Sequence, residues 1–321
     1  MRVYLAQRLA MMLVTIWAVL TIVFFMIRLA PGDPTTRFIR EDLPAEAIIA
    51  QRQAWGLDRP LYVQYLEFLR NLTTLEFGTS FQQRTPVSDL LWSAVGNTLI
   101  LLVPATLLMT IGGAMLGAVA GWRRGSRFEA SAVVLSLLLR SMPTFFIGML
   151  LLLLFAYTWQ WLPPGGMSPP GTFPTYREML FSATLWKHLA LPTLAVVLHG
   201  IYAPMLLMRT SIIEFKGEDF VEVLRAKGLP ERSIIRHAAR NAILPLITST
   251  AITFALLVDG QVVLEQVFSW PGAGRLVVQA MLDRDYPVLQ ASFFLVAVSV
   301  VVANFIADLL YGYLDPRVRY S

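Results

Sequence analysis

The sequence predicts an all-α integral membrane protein with six transmembrane helices. Three observations carry this prediction. Apolar residues make up 56% of the 321-residue chain and charged residues only 15%, against roughly 25% charge in a soluble domain. Mean hydropathy is +0.61. Apolar runs recur that exceed the roughly 18 residues needed to span a hydrocarbon core about 30 Å thick.

Six such segments are read: Leu9–Leu29, Thr98–Trp122, Ala132–Tyr157, Leu189–Met208, Ile243–Leu264 and Val288–Tyr311. Each must be helical, because lipid offers no partner for backbone N–H and C=O groups. Pro104, Pro143, Pro192, Pro204 and Pro245 interrupt them. Such breaks are tolerated where neighbouring groups satisfy the freed carbonyls. The first segment follows Arg2 and Arg8, and no small-x-small cleavage site precedes Pro31-Gly32-Asp33-Pro34. It is longer than a signal h-region and is expected to be a retained transmembrane helix.

Loop charge sets the expected orientation, since Lys and Arg concentrate in short cytoplasmic loops. With the N-terminus inside, the inside segments hold Arg2, Arg8, Arg123, Arg124 and Arg127. They also hold Arg209, Lys216, Arg225, Lys227, Arg232, Arg236, Arg240, Arg317 and Arg319. The short outside segments hold Arg177, Lys187, Arg275 and Arg284. Six arginines fall in the long segment after helix one, which is about the length at which the rule weakens. Both termini are therefore expected in the cytoplasm. The chain divides into residues 1–30 (N-terminus and first helix), an extracytoplasmic segment 31–95, a transmembrane domain 96–314 with a cytoplasmic loop at about 214–245, and a cytoplasmic tail 315–321.

Within the extracytoplasmic segment, Pro44 to Leu57 reads as a helix. Asp58-Arg59-Pro60 reads as the start of another, since Asp caps and Pro fits the first turn. Leu61, Tyr62, Tyr65, Leu66, Leu69 and Leu72 follow as an apolar stripe, expected to pack on the bundle or the membrane surface. The loop Trp159–Leu185 carries Pro163-Pro164-Gly165-Gly166 and is expected to be irregular. Glu265–Tyr286 reads as a second outside loop.

Composition excludes several functions. A net charge of +5 would suggest nucleic acid in a soluble chain, but here the cations are explained by loop orientation. There is no cysteine, so disulfides, thiolate metal sites and cysteine nucleophiles are excluded. The only histidines are His188, His199 and His237. No His-Glu-x-x-His pair and no Gly-x-Ser-x-Gly elbow occurs, which argues against an intramembrane enzyme. A scaffold or receptor without transport is the other competing reading. No metal site is expected, and no G-x-x-x-x-G-K-[ST] phosphate loop is present.

The most informative stretch is Glu218-Asp219-Phe220-Val221-Glu222-Val223-Leu224-Arg225-Ala226-Lys227-Gly228-Leu229-Pro230-Glu231-Arg232. It reads as a short helix with a Gly-Leu-Pro stop. A second helical run, Ser233–Leu244, leads into Pro245. Phe220, Val223 and Leu224 lie beside charges of both signs. A plain loop is the simplest reading. The functional reading is a knob that docks in a partner's groove and transmits its movement.

At this point the sequence resembles a family. Glu222…Gly228 matches the Glu and Gly of the EAA loop of ABC importer permeases. Arg225-Ala226-Lys227-Gly228-Leu229 and His237-Ala238-Ala239-Arg240-Asn241-Ala242-Ile243-Leu244-Pro245 resemble its dipeptide/oligopeptide branch. So do Pro31-Gly32-Asp33-Pro34, Gly56-Leu57-Asp58-Arg59-Pro60 with Gln64-Tyr65, Phe77-Gly78-Thr79-Ser80, Pro86-Val87 and Ser141-Met142-Pro143. Phe268-Ser269-Trp270-Pro271-Gly272-Ala273-Gly274-Arg275, Asp285-Tyr286-Pro287, Asp308-Leu309-Leu310-Tyr311-Gly312 and Asp315-Pro316-Arg317 complete the series. The strings run in family order over nearly the whole chain. Val223 and Leu224 stand where the general motif has alanines, and Leu244-Pro245 falls about one turn late. These departures blur which side chains make the contact.

The resemblance implies a type I ABC importer transmembrane fold in a bacterial inner membrane. This chain would form half of a peptide pathway. A second homologous permease subunit, two ATPase subunits and an extracytoplasmic substrate-binding protein would complete the system. ATP and Mg would be used by the ATPases, and this chain would bind no cofactor. Asp219, Phe220, Glu222, Leu224, Ala226 and Gly228 would form the ATPase-docking loop. Nickel chelates and oligosaccharides are alternative cargoes in the same branch. A bulky acid at Gly228 is expected to disturb docking.

Ionisable groups inside membrane helices cost about 2.5–3.5 kcal/mol each on insertion scales. Arg140, His199, Asp259 and Asp308 are therefore expected to face the bundle or a wet path. Asp308 lies one turn after Asn304 and is expected to pair structurally.

Overall fold

The computed structural model describes residues 2–29, 46, 49, 53, 55–169, 176–255, 257 and 261–314. The described residues form helices α1 (Arg2–Leu29), α2 (Leu61–Thr74), α3 (Val87–Trp122), α4 (Arg127–Ser141) and α5 (Thr144–Leu151), which continues as a π-helical turn over Leu152–Thr158. Then come α6 (Tyr176–Leu180), α7 (Ala183–Gly200), α8 (Tyr202–Lys216), α9 (Asp219–Ala226) and α10 (Glu231–Ala242). The last are α11 (Leu244–Ala255), α12 (Val262–Val267), α13 (Ala273–Asp283) and α14 (Tyr286–Leu314). Among the described residues the only β-type pairing is an isolated bridge between Thr79 and Pro86.

α1 and α3 are each long and apolar enough to cross a membrane. The two central apolar segments are not single rods. α4 and α5 together pass the same test but bend by 98° at Met142-Pro143, and α7 and α8 bend by 43° at Ile201. Proline explains both breaks. Pro143 is the N-cap of α5 and Pro204 lies in the first turn of α8, where the missing N–H costs nothing. Pro104 and Pro192 sit inside α3 and α7. Shorter apolar helices cover Pro245–Phe254 and Tyr286–Val302.

α3 is the spine. Its 36 residues extend about 54 Å, so it overshoots an apolar core. It packs against α8 along one half and α7 along the other. Gly113, Gly117 and Gly121 recur every fourth residue on the α8 face. A Cβ on Gly117 would lie 2.3 Å from the Met205 carbonyl, and one on Gly121 2.7 Å from that of Arg209. The backbones therefore touch, which is the close packing that small residues permit in lipid.

The largest core joins Leu101, Leu102 and Ala105 of α3 with Ile147 and Leu151 of α5, Leu185, Leu189 and Ala195 of α7, and Leu264, Phe268 and Trp270. At the other end of α3, Ala118 packs with Met208 and Ile212 of α8 and Ala238 and Ala242 of α10. α1 lies against α14.

Several elements differ from the sequence reading. α3 starts at Val87 rather than Thr98, and the loop expected to be irregular over Trp159–Leu185 contains α6 and the start of α7. α2 begins after Pro60, and no side chain caps it, so Asp58 is not the cap. Its inward face is Tyr65, Phe68, Leu69 and Leu72, packed on Leu20 and Phe24 of α1. Leu61, Tyr62 and Leu66 remain exposed, so the buried stripe is rotated from the one expected. The outside loop expected over Glu265–Tyr286 contains α13. Of the helix expected from Pro44, residues 46, 49 and 53 are helical, and the others up to Ala54 lie outside the described residues.

Candidate functional site

The knob expected from the sequence is the pair α9–α10. α9 closes with Gly228 N–H donating to the Arg225 carbonyl at 2.9 Å, and Gly228 adopts φ +74°. That left-handed conformation costs an L-residue roughly 1–2 kcal/mol, which is why glycine stands here. A Cβ would meet nothing within 4 Å. Backbone strain, not bulk, is thus what a substitution would introduce. Pro230 then starts α10, and Arg225 Nε sits 3.4 Å from Glu231 Oε1 across the turn.

The short helix is two-faced. Val221 is wholly buried, and Phe220 packs inward with its ring centroid 6.5 Å from that of Phe215. Leu224 is half-buried. Asp219, Glu222, Val223 and Ala226 are exposed. Their spacing of i, i+3, i+4 and i+7 puts them on one stripe. The side chains of the expected docking set therefore separate: Asp219, Glu222 and Ala226 face away from the chain, while Phe220 anchors the helix to it. Val223, 51% exposed, joins the outward stripe. The docking set expected from the sequence did not include it.

Trp122, at the end of α3, ties this helix to the bundle. Lys216 Nζ donates to the Trp122 carbonyl at 2.7 Å and lies 5.2 Å from its ring centroid. The Arg225 guanidinium sits 5.8 Å from the same ring. A second tie lies beside it. Arg209 of α8 donates through Nε to Glu129 Oε1 at 2.8 Å, and Glu129 Oε2 accepts the Gly125 N–H at 2.5 Å. Ser126 caps α4 by accepting from the Glu129 N–H. The turn between α3 and α4 is thus fixed to α8. Neither tie was read from the sequence, where Lys216, Arg225 and Arg209 counted only as orienting charges.

The structure brings two of the four intramembrane candidates together. Arg140 Nη1 and His199 Nε2 are 2.5 Å apart. The other ring nitrogen, Nδ1, lies 3.0 Å from the Met142 carbonyl. A carbonyl only accepts, so Nδ1 carries the proton and Nε2 accepts from Arg140. Asp259 lies outside the described residues. Asp308 falls on α14, with its side chain outside the described set.

At the far end of α3, the Phe268–Arg275 string latches onto Asn97 and Thr98. Trp270 Nε1 donates to the Asn97 carbonyl at 2.8 Å, and Asn97 Nδ2 donates to the Pro271 carbonyl at 2.9 Å. Glu265 is fully buried and accepts from Thr98 Oγ1 at 2.8 Å and the Arg275 N–H at 3.0 Å. Nearby, buried Asp285 accepts from Ser80 Oγ and the N–H groups of Phe81 and Gln82. Among the described residues no group of three or more His, Asp or Glu could hold a metal ion.

The described residues make a helical chain with apolar helices long enough to cross a membrane, broken midway at a polar pair and carrying an outward-facing amphipathic helix at one end. The chain belongs to the binding-protein-dependent transport system inner membrane component family, whose profile matches residues 113–320; the N-terminal profile of the same membrane components matches residues 1–102. It is 32% identical to the oligopeptide transport system permease protein AppB of Bacillus subtilis over the full length of both chains. It is 35% identical to the di/tripeptide transport system permease protein DppB of Pseudomonas aeruginosa, covering 99% of each. Identity to the glutathione transport system permease protein GsiC of Salmonella typhimurium is 32%, again over 99% of each.

Proposed function

We propose that this chain is one permease subunit of an ATP-driven importer of short peptides. One observation carries the reading: α9 presents an unpartnered stripe of Asp219, Glu222, Val223 and Ala226 while its other face is seated on the ends of α3 and α8. A helix held this way transmits a push from outside into the bundle. The full-length likeness to peptide and glutathione permeases supports the cargo class. Nickel chelates or oligosaccharides are the second choice, as the same branch carries them.

In this reading the chain crosses the membrane six times with both termini in the cytoplasm. α4 with α5, and α7 with α8, each count as one broken crossing. Residues 31–95 lie outside, 96–314 form the transport domain, the loop at about 214–245 faces the cytoplasm and 315–321 form its tail. A second, similar permease completes the pathway. One of two ATPase subunits receives the stripe, and the pair closes together when it binds ATP with Mg, before hydrolysis. Their closure moves α9, and Trp122 passes the movement to α3. An extracytoplasmic binding protein delivers cargo.

Tagged chain purified in mild detergent should bring both ATPase subunits and the second permease with it. Reconstituted with the binding protein, the complex should accumulate a labelled dipeptide or tripeptide only when ATP is supplied. Gly228→Val should leave membrane insertion intact but lower uptake per ATP hydrolysed. Normal coupling in that variant would overturn the docking assignment. Purification without any ATPase would overturn the importer reading.

A further inference from the structure

We propose that Arg140, oriented by His199, receives the carboxylate of the peptide in transit. This inference rests on the peptide-importer reading above and adds to it a recognition site inside the membrane.

Depth is the first observation. A Cβ on Gly200 would lie 2.4 Å from Met109 Sδ of α3, so His199 sits beside Met109. Met109 is 11 residues from Thr98 and 13 from Trp122, so the pair stands about halfway along the apolar part of α3, roughly 17–20 Å from either end. In secondary transporters, cargo sites lie at broken helices near this depth.

The second observation is the break itself. Between α4 and α5 the chain turns by 98°, and Met142 has extended backbone angles. Irregular backbone at membrane depth persists only where it is buried in protein or lines a water-filled cavity. Here the residues at the break, Arg140 and Ser141, are exposed. An arginine facing lipid at this depth would be costly. A wet path resolves both facts.

Chemistry names the occupant. Arg140 carries five N–H donors in a planar fork. One of them meets His199, and among the described residues no carboxylate lies within ion-pair distance of it. His199 is itself fixed by the Met142 carbonyl, so the guanidinium is oriented and, among the described residues, not neutralised. A fixed, charged fork matches a carboxylate through two parallel hydrogen bonds. Every free peptide carries one at its C-terminus.

The test uses the complete importer in proteoliposomes with two cargoes, a dipeptide and its C-terminal amide. Uptake of each is measured with the wild-type complex and with Arg140→Gln. The same binding protein serves both complexes, so its own preference cancels in the variant-to-wild-type ratio. Arg140→Gln should cut uptake of the free acid by about tenfold or more and that of the amide by less than about twofold, the pattern of a site built around one polar group. Equal loss for both cargoes means that Arg140 supports the fold or pairs with the second permease, and overturns the proposal. No loss for either means that the residue is off the path, and also overturns it. If Arg140→Gln fails to assemble, Arg140→Lys replaces it and should slow the free acid more than the amide, since a point charge lacks the fork; equal slowing overturns the proposal. A wild-type complex that moves neither cargo overturns the peptide reading, and this proposal with it.

Discussion

Lys216 and Trp122 stand 94 residues apart in sequence, yet the lysine ammonium donates to the tryptophan carbonyl at 2.7 Å and lies over its ring. Arg225 of α9 approaches the same ring. One indole therefore joins the end of α3, the end of α8 and the exposed helix. Each cation–π contact is worth about 0.5–1 kcal/mol, so Trp122→Ala should weaken the junction of α3, α8 and α9 by about 1–2 kcal/mol in all, about half of it at α9 through Arg225. We expect the assembled complex to retain its ATPase subunits but take up cargo several-fold more slowly. Trp122→Phe, which keeps an aromatic face, should fall in between. Uptake measured against ATP hydrolysis in proteoliposomes checks this.

The α3–α8 contact should be intolerant of bulk. Gly117 has the Met205 carbonyl at 2.3 Å from any added Cβ, and backbone cannot rotate away as a side chain can. Gly117→Leu should cost at least the 1–3 kcal/mol typical of an overpacked core. The readout is a lower melting temperature of the purified chain in detergent. Gly125→Leu provides a contrast: its Cβ meets nothing within 4 Å, and only its φ of +83° penalises the change.

Asp285 gathers three donors from the Ser80–Gln82 turn and starts α14. Asp285→Ala would leave buried donors unpaired, at about 1–3 kcal/mol for each buried group. Protease should then cut between α2 and α3 at lower concentrations than in the wild type. Asp285→Asn keeps one acceptor oxygen and should show a smaller effect.

The fold was legible in the sequence where one periodicity dominated. The C-terminal ends of α1 and α3, Leu29 and Trp122, follow from apolar runs, though both helices start earlier than those runs, at Arg2 and Val87; α9 follows from its Gly-Leu-Pro stop. The breaks were less legible. Pro143 and Pro204 were visible, but proline is tolerated inside α3 at Pro104 and ends a helix at Pro143, and only packing decides between these outcomes. α13 was missed because Trp270-Pro271-Gly272 resembles a plain turn, whereas Asn97, Thr98 and Glu265 supply the hydrogen bonds that fix it. The partition of α9 into an outward Val223 and an inward Phe220 depends on the position of Trp122, nearly a hundred residues upstream, which no local pattern encodes. The pairing of Arg140 with His199 likewise requires two helices to bend at the same depth.

The central claim is that the α9 stripe is the surface an ATPase subunit grips. The chain contains no cysteine, so a single introduced thiol reports one position cleanly. Val223→Cys should crosslink to an ATPase subunit in native membranes, with a yield that changes when ATP is added. Val221→Cys, buried on the opposite face, should not. Absence of any crosslink from position 223 in a complex that transports normally would contradict the account.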